Sequence, residues 1–189
     1  MDEVGFGCYC LVGLVFAVSA ASKLRGRTAF DEFIRTTRVL AVATIPGDEV
    51  SRAGARRIGV VVVGGELAVP VLMIVPATAR IGLCVAVVLL TVFGVGIAAA
   101  MRRGLRTSCR CFGSSSAPLG TRHLLRNALL VAAAAAGLAF GPDRITQLDP
   151  AGLIVAGVGA LVLVALVVRL DDLIDLFTPA SAITGGQSR

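Results

Sequence analysis

Two cysteines one residue apart, Cys109 and Cys111, stand in the run Cys109-Arg110-Cys111-Phe112-Gly113, between two apolar stretches of a chain with only five cysteines. The thiolate is the reactive form of cysteine, and neighbouring cations or a helix N-terminus favour it. Arg106, Arg110 and Arg122 supply cations close in sequence, with His123 behind them. A disulfide across one residue closes a small, strained ring, and strained disulfides are labile and oxidising rather than structural. Gly113 allows a sharp turn after Phe112. The pattern points to a redox-active dithiol. Two other readings stay open: incidental loop cysteines, and a metal site. Zinc takes four protein ligands, or three in a catalytic site, and His123 is the sole histidine. Copper(I) on two thiolates fits on softness, but no methionine cluster accompanies the pair.

Other polar residues sit inside apolar runs. Glu66 follows Gly64-Gly65 in mid-run, and a carboxylate there costs a few kcal/mol unless it is paired, neutralised or hydrated. Arg126 lies three residues into a later run, from which its long side chain can reach inward or snorkel outward. We expect Glu66 and Arg126 to form an intramembrane pair, structural or catalytic. His123 reads as an interfacial polar residue or as an acid/base partner to the thiols, and Asn127 as a satisfier of a polar neighbour. The candidate site is Cys109 and Cys111 as redox pair, with His123, Arg126 and Glu66 in support and Lys23 nearby. Cys8 and Cys10, two apart on a helix, point to different faces. Cys84 reads as packing.

These groups need a mount. The 189 residues are 56% hydrophobic and 16% charged, with mean hydropathy +0.88; soluble domains carry about 25% charge. Apolar blocks of about 18 residues or more are the transmembrane signature. The expected fold is an all-α integral membrane protein. Four core transmembrane helices span about residues 4–21, 58–75, 81–101 and 123–140, within a membrane helical domain of residues 1–145. A fifth span falls within 146–170, and 171–189 reads as a polar, disordered tail. Gly13, Ala17 and Ala21 form a small-residue ridge in the first span, suited to close packing. Between spans 1 and 2, Phe30, Phe33 and Ile34 share one helical face while Asp31, Glu32, Arg35 and Arg38 lie mostly elsewhere. That is a short amphipathic helix fit for the membrane interface, with Thr28 and Asp31 as a capping-box variant. Pro70 is expected to kink span 2. Residues 76–80 read as a tight turn, and Thr121 as an N-cap. The acidic N-terminus lacks the positive region of a cleaved signal peptide.

The net charge of +6 carries no nucleic-acid motif and no aromatic-interleaved basic patch, so no nucleic-acid partner is expected. The basic residues flank the spans, where they set topology and meet anionic lipid. With five spans, the N-terminus, the 76–80 turn and the 141–150 loop share one side, with Arg80 and Arg144. The 22–57 segment, the cysteine loop and the C-terminal tail share the other, with nearly all remaining basic residues. The positive-inside rule puts the cysteine loop in the cytoplasm. Cys8, Cys10 and Cys84 then lie toward the opposite face, too far from the loop for a disulfide, whose Cα atoms must approach within about 7 Å.

The chain resembles the MauE family of methylamine utilisation membrane proteins, related to DoxX-like proteins. Four features carry the resemblance in order: Ser22-Lys23-Leu24-Arg25, Gly65-Glu66-Leu67, Cys109-x-Cys111-Phe112-Gly113, and His123-Leu124-x-Arg126-Asn127. They cover about residues 5–140, and the cysteine motif is the most specific. Arg110 departs from the family, which usually has glycine between the cysteines; it keeps the thiols, stiffens the loop and adds charge. The resemblance implies a redox-associated helical bundle in the bacterial cell membrane, exchanging electrons with a thioredoxin-like or secreted partner. It implies no required cofactor, with a quinone as a possible electron carrier. Family members are linked to maturation of methylamine dehydrogenase, whose small subunit needs many disulfides, and also occur outside that pathway. Disulfide delivery to a secreted protein calls for the loop outside the cell, against the arginine distribution. The non-enzymatic alternative is a membrane assembly or scaffold protein whose loop only docks a partner.

Overall fold

Backbone polar groups in a bilayer must be satisfied within the chain, which leaves helices as the way for an apolar segment of this length to cross. The computed structural model describes residues 2–44, 50–105, 121–140 and 149–177, and places six helices in them. They are α1 (Asp2–Leu24), α2 (Arg27–Thr44), α3 (Arg52–Ile74), α4 (Pro76–Arg102), α5 (Thr121–Phe140) and α6 (Pro150–Phe177). All but α2 are long and apolar enough to cross a membrane. At 1.5 Å per residue, a 23-residue helix such as α1 or α3 spans about 34 Å, enough for a hydrocarbon core of about 30 Å. The expected all-α bundle of five spans with one amphipathic helix is the observed architecture.

Several boundaries differ from expectation, each for a local reason. Ser51 caps α3, its Oγ accepting from the Gly54 N–H at 3.1 Å, so the helix starts at Arg52, well before its apolar part. Residues 76–80 are not a turn. Pro76 occupies the first turn of α4, where its missing N–H costs nothing, and only Val75 separates α3 from α4. The Thr78 hydroxyl ties this hairpin by donating to the Leu72 carbonyl at 2.7 Å. Thr28 lies inside α2 rather than at its cap, because helical bonding starts two residues earlier, with the Phe30 N–H bonded to the Gly26 carbonyl. Thr121 already belongs to α5. The last helix runs on to Phe177, past the expected start of the tail at residue 171.

Packing follows one stripe along α3. Ala55, Gly59, Val63, Glu66, Val69 and Met73 are its buried residues, spaced three or four apart. The half downstream of Glu66 joins the main core: Val69 and Met73 pack with Val12, Val15 and Phe16 of α1, Leu83 and Leu90 of α4, and Leu130 and Ala134 of α5. The upstream half is covered by α2, where Phe33 and Ile34 pack on Ala55 and Val63. A Cβ on Gly59 would lie 2.2 Å from Ile34 Cδ1, so a side chain there would push the end of the Ile34 side chain aside. Further along α2, Leu40 and Ala43 pack on Ile97 and Ala100 of α4. The amphipathic helix is thus one continuous element through Thr44. Its apolar face docks on α3 and α4, while Asp31, Arg35 and Arg38 are exposed as expected.

The small-residue ridge of α1 does not make its packed face. Ala21 is exposed, and the buried face runs through Val12, Val15, Phe16, Ser19, Ala20 and Lys23. α6 packs against α1 and is peripheral: 11% of its apolar stretch is buried, against 28–33% for the other four spans. Among the described glycines the closest approach to the backbone of a neighbouring helix is at Gly82 of α4, where a Cβ would meet the Val69 carbonyl at 3.1 Å and Met73 Cγ at 2.9 Å. Backbone cannot yield as a side chain can. Gly82→Leu is therefore expected to destabilise the fold by about 1–3 kcal/mol through overpacking. Gly94→Leu, at a position open to at least 4 Å, should change stability by less than about 0.5 kcal/mol. Unfolding of both variants in mixed micelles checks this.

Candidate functional site

The stripe on α3 is apolar except at Glu66, which sits where the parts covered by α1 and by α2 meet. Its carboxylate is 3% exposed and belongs to a closed polar group. Lys23, in the last turn of α1, donates to both carboxylate oxygens at 2.7 Å and to Ser19 Oγ at 2.7 Å. Ser19 Oγ donates in turn to Glu66 Oε1 at 3.2 Å. The three ammonium protons thus have three acceptors. Ser19 and Lys23 are four apart on α1 and share its inner face. The Lys23 side chain is among the largest that are fully buried, and its ammonium lies 4.9 Å from the centre of the Phe33 ring of α2. A cation over an aromatic face adds attraction that strengthens with desolvation. α1, α2 and α3 therefore meet on one buried charge pair.

The first two turns of α5 supply the second half of the site. His123, Arg126 and Asn127 are buried and begin the stripe that continues through Leu130, Ala134 and Gly137. Arg126 Nη2 lies 3.3 Å from His123 Nδ1. A guanidinium can only donate, so Nδ1 accepts and the imidazole carries its proton on Nε2. The two halves face each other across a cavity of about 30 Å³ lined by Ser19, Glu66, His123, Arg126 and Asn127, with walls from Phe16, Leu90 and Phe93. That volume exceeds the roughly 10–15 Å³ one water needs and is too small for an aromatic ring. The chemistry available is polar and ionic: a buried layer of two cations, one carboxylate and a neutral imidazole, able to orient water and to place positive charge inside an apolar bundle.

Much of the expected constellation comes together here. Glu66, His123, Arg126, Asn127 and Lys23 line or support one cavity. Two details differ. Glu66 is held by Lys23 and Ser19 rather than by Arg126, because Lys23 ends α1 at the depth of Glu66. His123 is 4% exposed, inside the bundle rather than at its surface, and Arg126 points inward. Ser19 was not singled out from sequence; its signal was its place one turn before the sole lysine. Cys109 and Cys111 lie outside the described residues. They belong to the segment that joins α4 to α5, whose two ends are adjacent: Leu124 of α5 packs against the Leu40, Ala43, Ile97 and Ala100 cluster. Cys8 and Cys10 are free and half-buried near the other end of α1, and Cys84 is free and exposed. Among the described residues, no group of three His, Cys, Asp or Glu side chains is placed to hold a metal ion.

Removing one partner from a buried ion pair strands the other charge, at about 3–5 kcal/mol, whereas replacing both with apolar groups is far cheaper. Lys23→Met and Glu66→Leu are each expected to lose stability on that scale. The double variant should recover at least about 2 kcal/mol relative to the sum. A double-mutant cycle by reversible unfolding measures it, and additive losses would show that the two charges are not coupled.

No curated protein and no solved structure matches significantly. The family model described as methylamine utilisation protein MauE matches residues 1–140, which covers α1 to α5 and leaves α6 outside. With five spanning helices and this match over most of its length, the chain is a multi-pass membrane protein of the MauE family.

Proposed function

We propose that this protein is a membrane thiol–disulfide relay in which Cys109 and Cys111 cycle between dithiol and disulfide. The observation that carries the reading is the Cys109-Arg110-Cys111-Phe112-Gly113 motif on the segment between α4 and α5, which ends ten residues before His123 of the buried His123–Arg126 pair. In the forward step a Cys thiolate attacks the disulfide of a thioredoxin-like partner and forms a mixed disulfide. The second thiolate then displaces the partner thiolate. One disulfide is consumed and one formed, two electrons pass to the partner, and the partner's sulfurs take up the two protons the pair releases. A bilayer quinone is the alternative acceptor; closing the pair would reduce it to the quinol. His123, Arg126 and Glu66 act as supporting residues. The positive charge of Arg126 favours thiolate at the nearby chain segment, and the Lys23–Glu66 pair fixes the floor on which α5 rests.

The family's printed description points to methylamine utilisation. Run in the reverse direction, with the Cys109–Cys111 disulfide accepting two electrons from a client's two thiols, the same exchange would form disulfides, as maturation of methylamine dehydrogenase requires. The cell membrane is the proposed location, with the cysteine segment on the cytoplasmic side. Arg25, Arg27, Arg52, Arg56, Arg57, Arg102, Arg103 and Arg122 all lie at that end of the helices, as the positive-inside rule requires of a cytoplasmic face.

Two experiments test these statements. Thiol trapping of the purified protein should show Cys109 and Cys111 protected after oxidant and free after reductant, and Cys109→Ser with Cys111→Ser should abolish the change in partner redox state. If the pair never becomes protected, the relay is wrong. If the double variant keeps function while Phe112→Ala or Arg110→Gly loses it, the protein is a docking or assembly factor instead. Labelling of Cys109 in intact cells with a membrane-impermeant maleimide should fail until the membrane is opened; labelling of intact cells would place the segment outside and favour a secreted partner.

A further inference from the structure

A second site lies at the same end of the bundle, on its lipid-facing surface. Val95, Ala98, Ala99 and Arg102 are spaced at i, i+3, i+4 and i+7, so they form one face over the last two turns of α4. Ala43 near the end of α2 supplies the opposing wall, and Arg103 closes the rim, leaving an open groove of about 410 Å³. The floor is alanine, too short to fill it, and Val95 beside it is 58% exposed. Both arginines are exposed. Arg103 is braced, with Nη1 donating to the Val42 carbonyl at 3.0 Å, and its backbone N–H closes the helix on Ala99. The bond to Val42 uses one of five guanidinium donors, so a preset donor array sits at the mouth of an apolar slot. The groove between α1 and α6, lined by Val4, Leu11, Val155 and Leu163 among others, is of comparable volume but has no charged residue among the described ones that line it.

We infer that the α2–α4 groove binds an anionic glycerophospholipid, its phosphate on Arg102 and Arg103 and one acyl chain along Ala98, Ala99 and Val95. Charge complementarity selects the headgroup. The groove runs from Val95 to Arg102, about 10 Å along the helix, so it takes the headgroup-proximal part of an acyl chain and leaves the rest in the bilayer. The site is independent of the thiol chemistry. It abuts the Leu40–Ala43–Ile97–Ala100 contact that fixes α2 on the bundle, so a bound lipid would brace the helix that covers Lys23 and Glu66.

The test uses the full chain in detergent with phosphatidylglycerol and phosphatidylcholine of equal chain length, scored by native mass spectrometry. Phosphatidylglycerol should be retained roughly thirtyfold over phosphatidylcholine, the order expected for two guanidiniums acting on one anionic headgroup. Arg102→Gln with Arg103→Gln should abolish the preference. Arg56→Gln with Arg57→Gln, which removes the same charge from exposed positions on α3 at that end, should leave it intact. Ala98→Leu with Ala99→Leu, which fills the slot and keeps the charge, should cut phosphatidylglycerol retention severalfold. Glycerol 1-phosphate at millimolar concentration should not compete. Equal retention of the two lipids, or equal loss in both arginine pairs, would overturn the proposal in favour of general surface charge. Competition by glycerol phosphate would overturn it in favour of a soluble-phosphate site. Lipid retention in the Cys109→Ser, Cys111→Ser protein should match wild type, which separates this site from the relay.

Discussion

The bundle is organised around a charge pair buried away from bulk solvent. An ammonium and a carboxylate removed from solvent lose several kcal/mol each in hydration, and only close, fully hydrogen-bonded geometry repays it. Lys23 and Glu66 meet that condition at 2.7 Å, with Ser19 as third partner and the Phe33 ring against the ammonium. The constraint is positional. Lys23 is one residue from the end of α1, whereas Glu66 is in the middle of the buried stripe of α3. Pairing them stops α1 short of the start of α3, and α2 packs on the part of α3 that α1 leaves uncovered. The amphipathic helix therefore acts as the cover of the charge pair as well as an interfacial element.

The same geometry explains why the polar layer is confined. On one side of it lies the main core of Val12, Val15, Phe16, Val69, Leu83, Leu90 and Leu130; on the other lie the two smaller clusters held by α2. Polar side chains from α1, α3 and α5 fill the gap between them, and the remaining space is of water size. Positive charge in a medium of low dielectric acts over longer range than at a surface. A layer holding Lys23 and Arg126 against a single carboxylate thus places net positive charge inside an apolar bundle.

The lipid-facing elements follow a different logic. α6 contributes little to the core and lies outside the family match, so the site is built by α1 to α5. The groove at the end of α4 is apolar along its floor and cationic at its rim, the pattern of a phospholipid in profile. In both places arginine sets the electrostatics: Arg126 inside the bundle, Arg102 and Arg103 at its margin.

Composition and periodicity alone determined the membrane class, the number of spans, the amphipathic character of residues 30–38 and the shared end of the basic residues. Each of these follows from local chemistry, since about 20 apolar residues in a row have one stable arrangement in a bilayer. The motifs also marked Glu66, His123, Arg126 and Lys23 as candidates, because an ionisable group inside an apolar run is conspicuous in sequence. Which of them pair was a tertiary matter. Spacing made Arg126 look like the natural partner of Glu66, but partner choice depends on where α1 ends relative to α3, and that is set by contacts between the two helices such as Tyr9 and Gly13 of α1 against Met73 of α3. Ser19 was invisible for the same reason: serine is unremarkable in a helix until the fold sets a buried lysine and a buried carboxylate on either side of it. The turn expected at residues 76–80 gave way to helix because proline opens helices as readily as it breaks them, and α6 runs past residue 171 to Phe177 because acidic residues at the end of a helix do not end it.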